Sequence, residues 1–190
     1  MAKPTWGKSA PTLVVLVYNF SEATPELLHG AEREAQRIFT ESGVHITWTQ
    51  CPIEKFATAP LGCADEPAPG QIRLRILKRP LSYSLSDSVF GFANAPVFAS
   101  VYYDSAVRLA RTAVNAEIDL SVLLGCLATH EIGHLLLGEN RHSASGIMKG
   151  QWPLRQIQLA MMGSLLFLPE EGRVLYARAC ERENKASGGS

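Results

Sequence analysis

The chain has 190 residues, 46% of them hydrophobic, and a mean hydropathy of +0.03. That is enough for one soluble globular domain with a sizeable core, and nothing suggests a second domain. Lysine plus arginine balance aspartate plus glutamate at 18 each, so no net field draws the protein to nucleic acid or to an anionic membrane, and neither is expected as a partner.

The segment from Met1 to Gly7 carries a lysine but no apolar h-region, so the sequence shows no signal peptide. Thr12 to Phe20 is a continuous β-branched and aromatic run, the pattern of a strand covered on both faces. Thr24 then caps a helix with Pro25 at its first position. Leu27, Leu28, Ala31, Ala35, Ile38 and Phe39 supply its apolar periodicity, and Gly43 ends it. Val44 to Gln50 alternates as a second strand. Strand, helix and strand with short connections predict a βαβ unit with parallel strands and a right-handed crossover.

The prolines and glycines from Cys51 to Gly70 mark a loop, after which Gln71 to Leu77 alternates as a third strand with arginines on its outer face. Val89 to Tyr103 is rich in aromatic and small residues and predicts one or two more strands. Its end, Val97 to Tyr103, is the candidate edge strand. Apolar runs such as Thr12 to Phe20 and Val122 to Ala128 fall short of a membrane span.

Asp119 to Thr129 is an apolar run with an acidic, hydroxyl-bearing start, as expected of a buried helix. It leads into His130-Glu131-Ile132-Gly133-His134. Residues four apart on a helix share a face, so His130 and His134 can aim both imidazoles at one metal ion. Glu131 lies beside the metal without binding it, where it can accept a proton from water. Gly138 can take a left-handed turn, end the helix and fold the chain back, bringing His142 as a third ligand. Three protein ligands leave one tetrahedral position open, the mark of a catalytic rather than a structural zinc site. The histidines outside this segment compete poorly. His29 lies on a charged helix, and His45 sits on the polar side of a strand.

With Ser145-Gly146-Ile147-Met148 following, this region resembles the metzincin metalloproteases, and within them the matrixin-like members. Their pattern is HExxHxxGxxH followed by a methionine turn. Here one extra residue precedes Gly138 and another follows it, giving HExxHxxxGxxxH. Strict counting places Asn140 at the third ligand; an amide is a weak zinc ligand beside imidazole, and His142 is the favoured assignment. The resemblance implies a Zn2+ cofactor, Met148 as an apolar floor under the metal, and peptide bonds as substrate. A peptide would lie antiparallel to an exposed edge strand, Val97 to Tyr103 by analogy with the family. Lys149 to Trp152 could wall the pocket for the residue after the cut, or Trp152 could simply pack the lower half.

Leu154 to Phe167 and Glu170 to Glu183 carry helical periodicity and are separated by Pro169. The expected fold is therefore α+β and metzincin-like. It has a twisted, mostly parallel sheet with an antiparallel edge strand, a helix-borne zinc motif and a small helical C-terminal subdomain. Residues 1–183 form the single metalloprotease-like domain, with an upper part to about Gly138 and a lower part from 139 to 183. The small polar tail from Asn184 to Ser190 is expected to be disordered. The oligomeric state is not set by the sequence, and a monomer is the default expectation.

Of the four cysteines, Cys51 and Cys63 bracket the proline-rich loop and are expected to form a disulfide that favours a secreted or extracytoplasmic location, with a leader removed. Cys126 stands one turn before His130. Three ligands in a row along one helix cannot surround a metal tetrahedrally, so Cys126 is read as packing or as paired with Cys180.

The function these features predict is a zinc-dependent endopeptidase with Glu131 as general base. Two other readings stand beside it. A gluzincin-type peptidase would take a downstream glutamate ligand from Glu170 or Glu171, and a zinc-stabilised binding module would carry a degenerate cleft. The second leaves Glu131 without a purpose, because a structural site needs no base beside the metal.

Overall fold

The computed structural model describes residues 10–53, 60, 62–63, 70–80, 90–113, 117–138 and 141–187. The elements run β1 (Thr12–Phe20), α1 (Pro25–Glu41), β2 (His45–Cys51), β3 (Gln71–Leu77), β4 (Gly91–Asn94), β5 (Phe98–Tyr102), α2 (Tyr103–Thr112), α3 (Leu120–Leu137), α4 (Leu154–Met161) and α5 (Pro169–Ser187). The sheet order is β2-β1-β3-β5-β4, with every pairing parallel except β4 with β5.

The βαβ unit forms as its pattern predicts. The Thr24 hydroxyl accepts from the Leu27 amide (3.3 Å), Pro25 opens α1, and Gly43 at φ 75° turns the chain into β2. Leu13, Val15 and Val17 of β1 enter the main core beneath α1 and α3, while Leu16 packs on the other face with Cys51 and Cys63. On that outer face the Arg73 guanidinium lies 5.9 Å from the Tyr18 ring and 5.8 Å from the Phe98 ring. Arg75 donates to the Ser100 hydroxyl (3.0 Å).

The edge strand is corrected. Residues 98–102 lie inside the sheet as β5, parallel to β3, with Ala99, Ser100, Val101 and Tyr102 all buried. The outer position belongs to β4, whose Phe92 is 53% exposed. A strand screened on both sides suits the small and apolar residues of β5, whereas β4 is short and half solvated, as a tolerated edge must be.

Residues 103–112, to which the apolar pattern assigned no element, form α2 and bury Ala106 and Leu109. α4 stops at Met161 rather than reaching 167, because Gly163 takes φ 66° and the next residues run extended, burying Leu165 and Phe167. α5 runs on through Ser187, so residues 184–187 are helical where the composition suggests a disordered tail. Residues 188–190 lie outside the described set.

Cys51 and Cys63 are disulfide-bonded, with a sequence separation of 12. Cys126 and Cys180 are free thiols, which excludes their pairing and leaves Cys126 as buried packing, its Sγ 3.8 Å from Glu34 Oε1. Replacing Cys51 and Cys63 by serine is expected to lower stability by about 3 kcal/mol, from the unfolded-chain entropy of a loop this long. Thermal melting checks this, and a double variant that melts with the wild type would show that the staple does nothing for the fold.

Candidate metal centre

α3 is apolar on nearly every side, and it runs through the interior. Its length and composition would suffice to cross a membrane, but 83% of it is buried inside the protein, as befits a core helix. Asp119 caps its start, accepting from the Ser121 amide (2.8 Å) and hydroxyl (2.7 Å). Where α3 crosses α1 both helices present glycine. A Cβ on Gly125 would stand 2.5 Å from the Ala31 carbonyl oxygen, and one on Gly30 2.5 Å from the Ser121 hydroxyl. Bare backbone at the crossing lets the two helices approach closely.

His130 and His134 are buried one turn apart, with their Nε2 atoms 3.1 Å from each other. Gly138 takes φ 112° while its amide donates to the His134 carbonyl (3.0 Å), and the chain turns back towards the helix. His142 arrives on that return, its ring 5.4 Å from His130 and 4.9 Å from His134 between centroids. The three residues offer one ligand atom each, all within 4.8 Å of one another. Asn140, the alternative third ligand, lies outside the described residues.

The loop that carries His142 is braced. The Ser143 amide donates to the Met148 carbonyl (2.9 Å), and the Ser143 hydroxyl donates to the Glu171 carboxylate. Glu171 also accepts from the Leu168 amide (2.8 Å) at the start of α5. Gly150 backs the His142 ring so closely that a Cβ there would come within 3.0 Å of it. Glu171 is thus a buried brace for the loop, outside the metal-binding group formed by the three histidines, and it does not serve the gluzincin reading. Met148 is fully buried, and its Sδ would lie 2.6 Å from a Cβ on Gly133, so it packs on α3 between the two histidine turns.

Protein atoms alone do not satisfy this cluster. His130 Nδ1 lies 2.7 Å from the Ile147 carbonyl oxygen and must donate to it, which leaves a lone pair on Nε2. His134 faces that lone pair with its own Nε2, while its Nδ1 is buried with no hydrogen-bond partner among the described residues. Whichever nitrogen of His134 holds the proton, a buried polar atom is left unmatched. Burial also keeps both rings neutral, pushing His130 down to about 3 and His134 down to about 4. A cation shared by the three nitrogens relieves the facing lone pairs. Three imidazole nitrogens gathered within 4.8 Å of one another fit Zn2+.

Glu131 points towards β4. It is 4% exposed, and a Cβ on Gly91 would come within 2.8 Å of its Cδ. Only glycine at 91 leaves the carboxyl its place beside the edge strand. Burial raises the Glu131 carboxyl to about 8, and the carboxylate in turn helps burial to raise the Tyr102 phenol. In the metal-free protein a carboxyl raised from 4.5 to about 8 gives stability that is full below 4.5 and lost as pH rises through 8. The depressed histidines act the other way, losing stability as pH falls below 6.5. Comparing metal-free Glu131→Gln with metal-free wild type isolates the first effect. The variant is expected to melt higher, by a margin that widens from about pH 5 to about pH 8. A margin that does not change with pH would show that the carboxyl is not desolvated.

Beside the cluster the Phe90 ring meets His130 edge-on at 5.7 Å, and Trp152 does so at 6.2 Å. The Trp152 indole donates to the Lys149 carbonyl (2.8 Å). His29 and His45 are exposed on α1 and β2, outside the cluster.

The same architecture occurs in solved structures. An archaemetzincin from Methanopyrus kandleri superposes with a TM-score of 0.55 at 18% identity, over 93% of this chain and 99% of that one. A zinc-dependent peptidase from Methanocorpusculum labreanum (strain Z) gives 0.54 at 17% identity, over 85% and 99%. The chain has a zinc-metallopeptidase fold. No protein-family profile matches the sequence, and no curated protein matches it.

Within this fold His130, His134 and His142 converge, and Glu131 is buried on the same helix as the first two, its carboxyl against Gly91. The supports that motif spacing does not announce are the Ile147 carbonyl, Gly91, Gly150 and the Ser143–Glu171 pair. The lone glycines in Phe90-Gly91-Phe92 and Lys149-Gly150-Gln151 were the only sequence signals for two of them, since glycine beside bulky residues marks close approach of backbone. A carbonyl acceptor carries no residue signature at all.

Proposed function

We propose that the protein is a metzincin-type zinc endopeptidase in which His130, His134 and His142 hold the metal and Glu131 is the general base. The observation that carries this is the convergence of three histidine nitrogens, the first of them followed on the same helix by a residue with a buried carboxyl. Zinc held there would supply Lewis-acid polarisation of the scissile carbonyl and would acidify a nearby water. The Ile147 carbonyl orients His130 by accepting its Nδ1 proton and directs Nε2 into the cluster. Glu131 takes the proton of the attacking water at its carboxylate and delivers it to the leaving nitrogen as the C–N bond breaks. Met148 serves as the methionine of a Met-turn, filling the space under the histidines with a polarisable side chain and no competing donor.

The substrate backbone pairs with β4, which replaces Val97 to Tyr103 in this role because it is the strand at the sheet edge and touches Glu131 through Gly91. The Cys51–Cys63 disulfide supports a secreted or extracytoplasmic setting. Incubating the zinc-loaded protein with a mixed peptide library, with and without a chelator, tests the assignment by mass spectrometry of the products. Cleavage that the chelator abolishes is the expected result. A fully loaded protein that cuts nothing would instead be a binding module.

A further inference from the structure

We propose, resting on the peptidase reading, that the cavity beside His130 selects an acidic side chain on the substrate residue directly after the cut, with Arg108 and Lys149 as the recognising groups. The position follows from β4. Its first residue, Gly91, abuts Glu131, and its last, Asn94, lies away from it. A peptide antiparallel to β4 passes Asn94 first and Gly91 last, so the residues before the cut pair along the strand. The next residue arrives at Phe90, which precedes Gly91 and lines the cavity.

The cavity has a volume of about 560 Å³, ample for one long side chain. Its floor is apolar and rigid. Phe90, Leu109 and Trp152 are buried, the Phe90 and Trp152 rings lie 5.1 Å apart, and the indole is tied to the Lys149 carbonyl. Its described charged lining residues, Arg108 and Lys149, are both cations. Arg108 donates to the Ser105 hydroxyl (3.0 Å) and Lys149 to the Ala144 carbonyl (3.0 Å), both neutral partners. Among the described residues no carboxylate forms a salt bridge with either cation, and no acidic residue lines the cavity. A glutamate side chain would lay its methylenes on the aromatic floor and bring a counter-charge to Arg108 and Lys149. A lysine there would meet two cations.

The test uses peptides identical except for glutamate, glutamine or lysine after the scissile bond. With the zinc-loaded wild type, kcat/KM is expected to favour glutamate over glutamine by roughly tenfold, as for a charge-assisted contact that is partly solvated. Lysine should be poorest, and the spread should shrink as salt is raised. Arg108→Gln with Lys149→Gln should bring the glutamate-to-glutamine ratio to about one, and Arg108→Glu with Lys149→Glu should invert it. Because the readout is a ratio within each variant, a general loss of folding or activity leaves it interpretable. Calorimetric binding of the same peptides to zinc-loaded Glu131→Gln supplies a second readout without turnover.

Cleavage by the wild type with no glutamate preference, or with an acidic preference only before the cut, overturns this proposal and leaves the peptidase reading intact. Absence of cleavage, with Glu131→Gln still binding the glutamate peptide more tightly, overturns the peptidase reading and leaves the charge preference of the cavity standing. Neither cleavage nor preferential binding overturns both.

Discussion

Replacing Glu131 by glutamine is expected to lower kcat/KM by at least about 10²–10⁴-fold, the range typical of a lost general base, while zinc content and fold stay unchanged. Glutamine has nearly the same shape and cannot accept a proton, so the variant removes one capacity and little else. The site makes this loss hard to replace. Glu131 is 4% exposed and sits under Gly91, and among the described residues the group formed by the three histidines contains no acidic side chain that could stand in for it. Metal analysis and circular dichroism give the controls, and hydrolysis of a peptide found with the wild type gives the readout. Retained cleavage would point to a different base and end the mechanism proposed above.

The second large effect concerns the metal itself. Alanine at His134 or at His142 is expected to weaken zinc binding by more than the roughly 10–100-fold seen when only a supporting partner of a ligand is lost. Alanine at Asn140 is expected to leave the affinity unchanged. His142 is the informative position because it is exposed and comes from outside the helix, so its removal costs little packing. Its ring nonetheless stands 4.9 Å from His134 and is backed by Gly150 and by the braced turn at Ser143. Competitive titration with a chromogenic chelator measures the affinities. A His142 variant that keeps its zinc, beside an Asn140 variant that loses it, would move the third ligand to the stricter motif register.

The sequence by itself determined several features that depend on a few neighbouring residues. The i, i+4 spacing of His130 and His134 places two imidazoles on one helix face wherever that helix lies, because helical periodicity is local. Asp119 and Gly138 mark the two ends of α3 through the hydrogen bonds and backbone angle that helix termini require, and the same chemistry at Thr24, Pro25 and Gly43 makes the first βαβ unit legible. The bridge between Cys51 and Cys63 spans a short loop and was readable for the same reason.

Only the tertiary structure decided which strand is the edge. β4 and β5 both read as half-apolar strands, and their places depend on whether β3 pairs with one or the other, a contact between residues far apart in the chain. It also decided that Cys126 stays unpaired beside Glu34, that the Ile147 carbonyl orients His130, and that Glu171 braces the His142 loop instead of offering a ligand. A side chain's type records which partners it can accept. Which partner stands within reach is settled when distant segments pack, and that information resides in the whole fold.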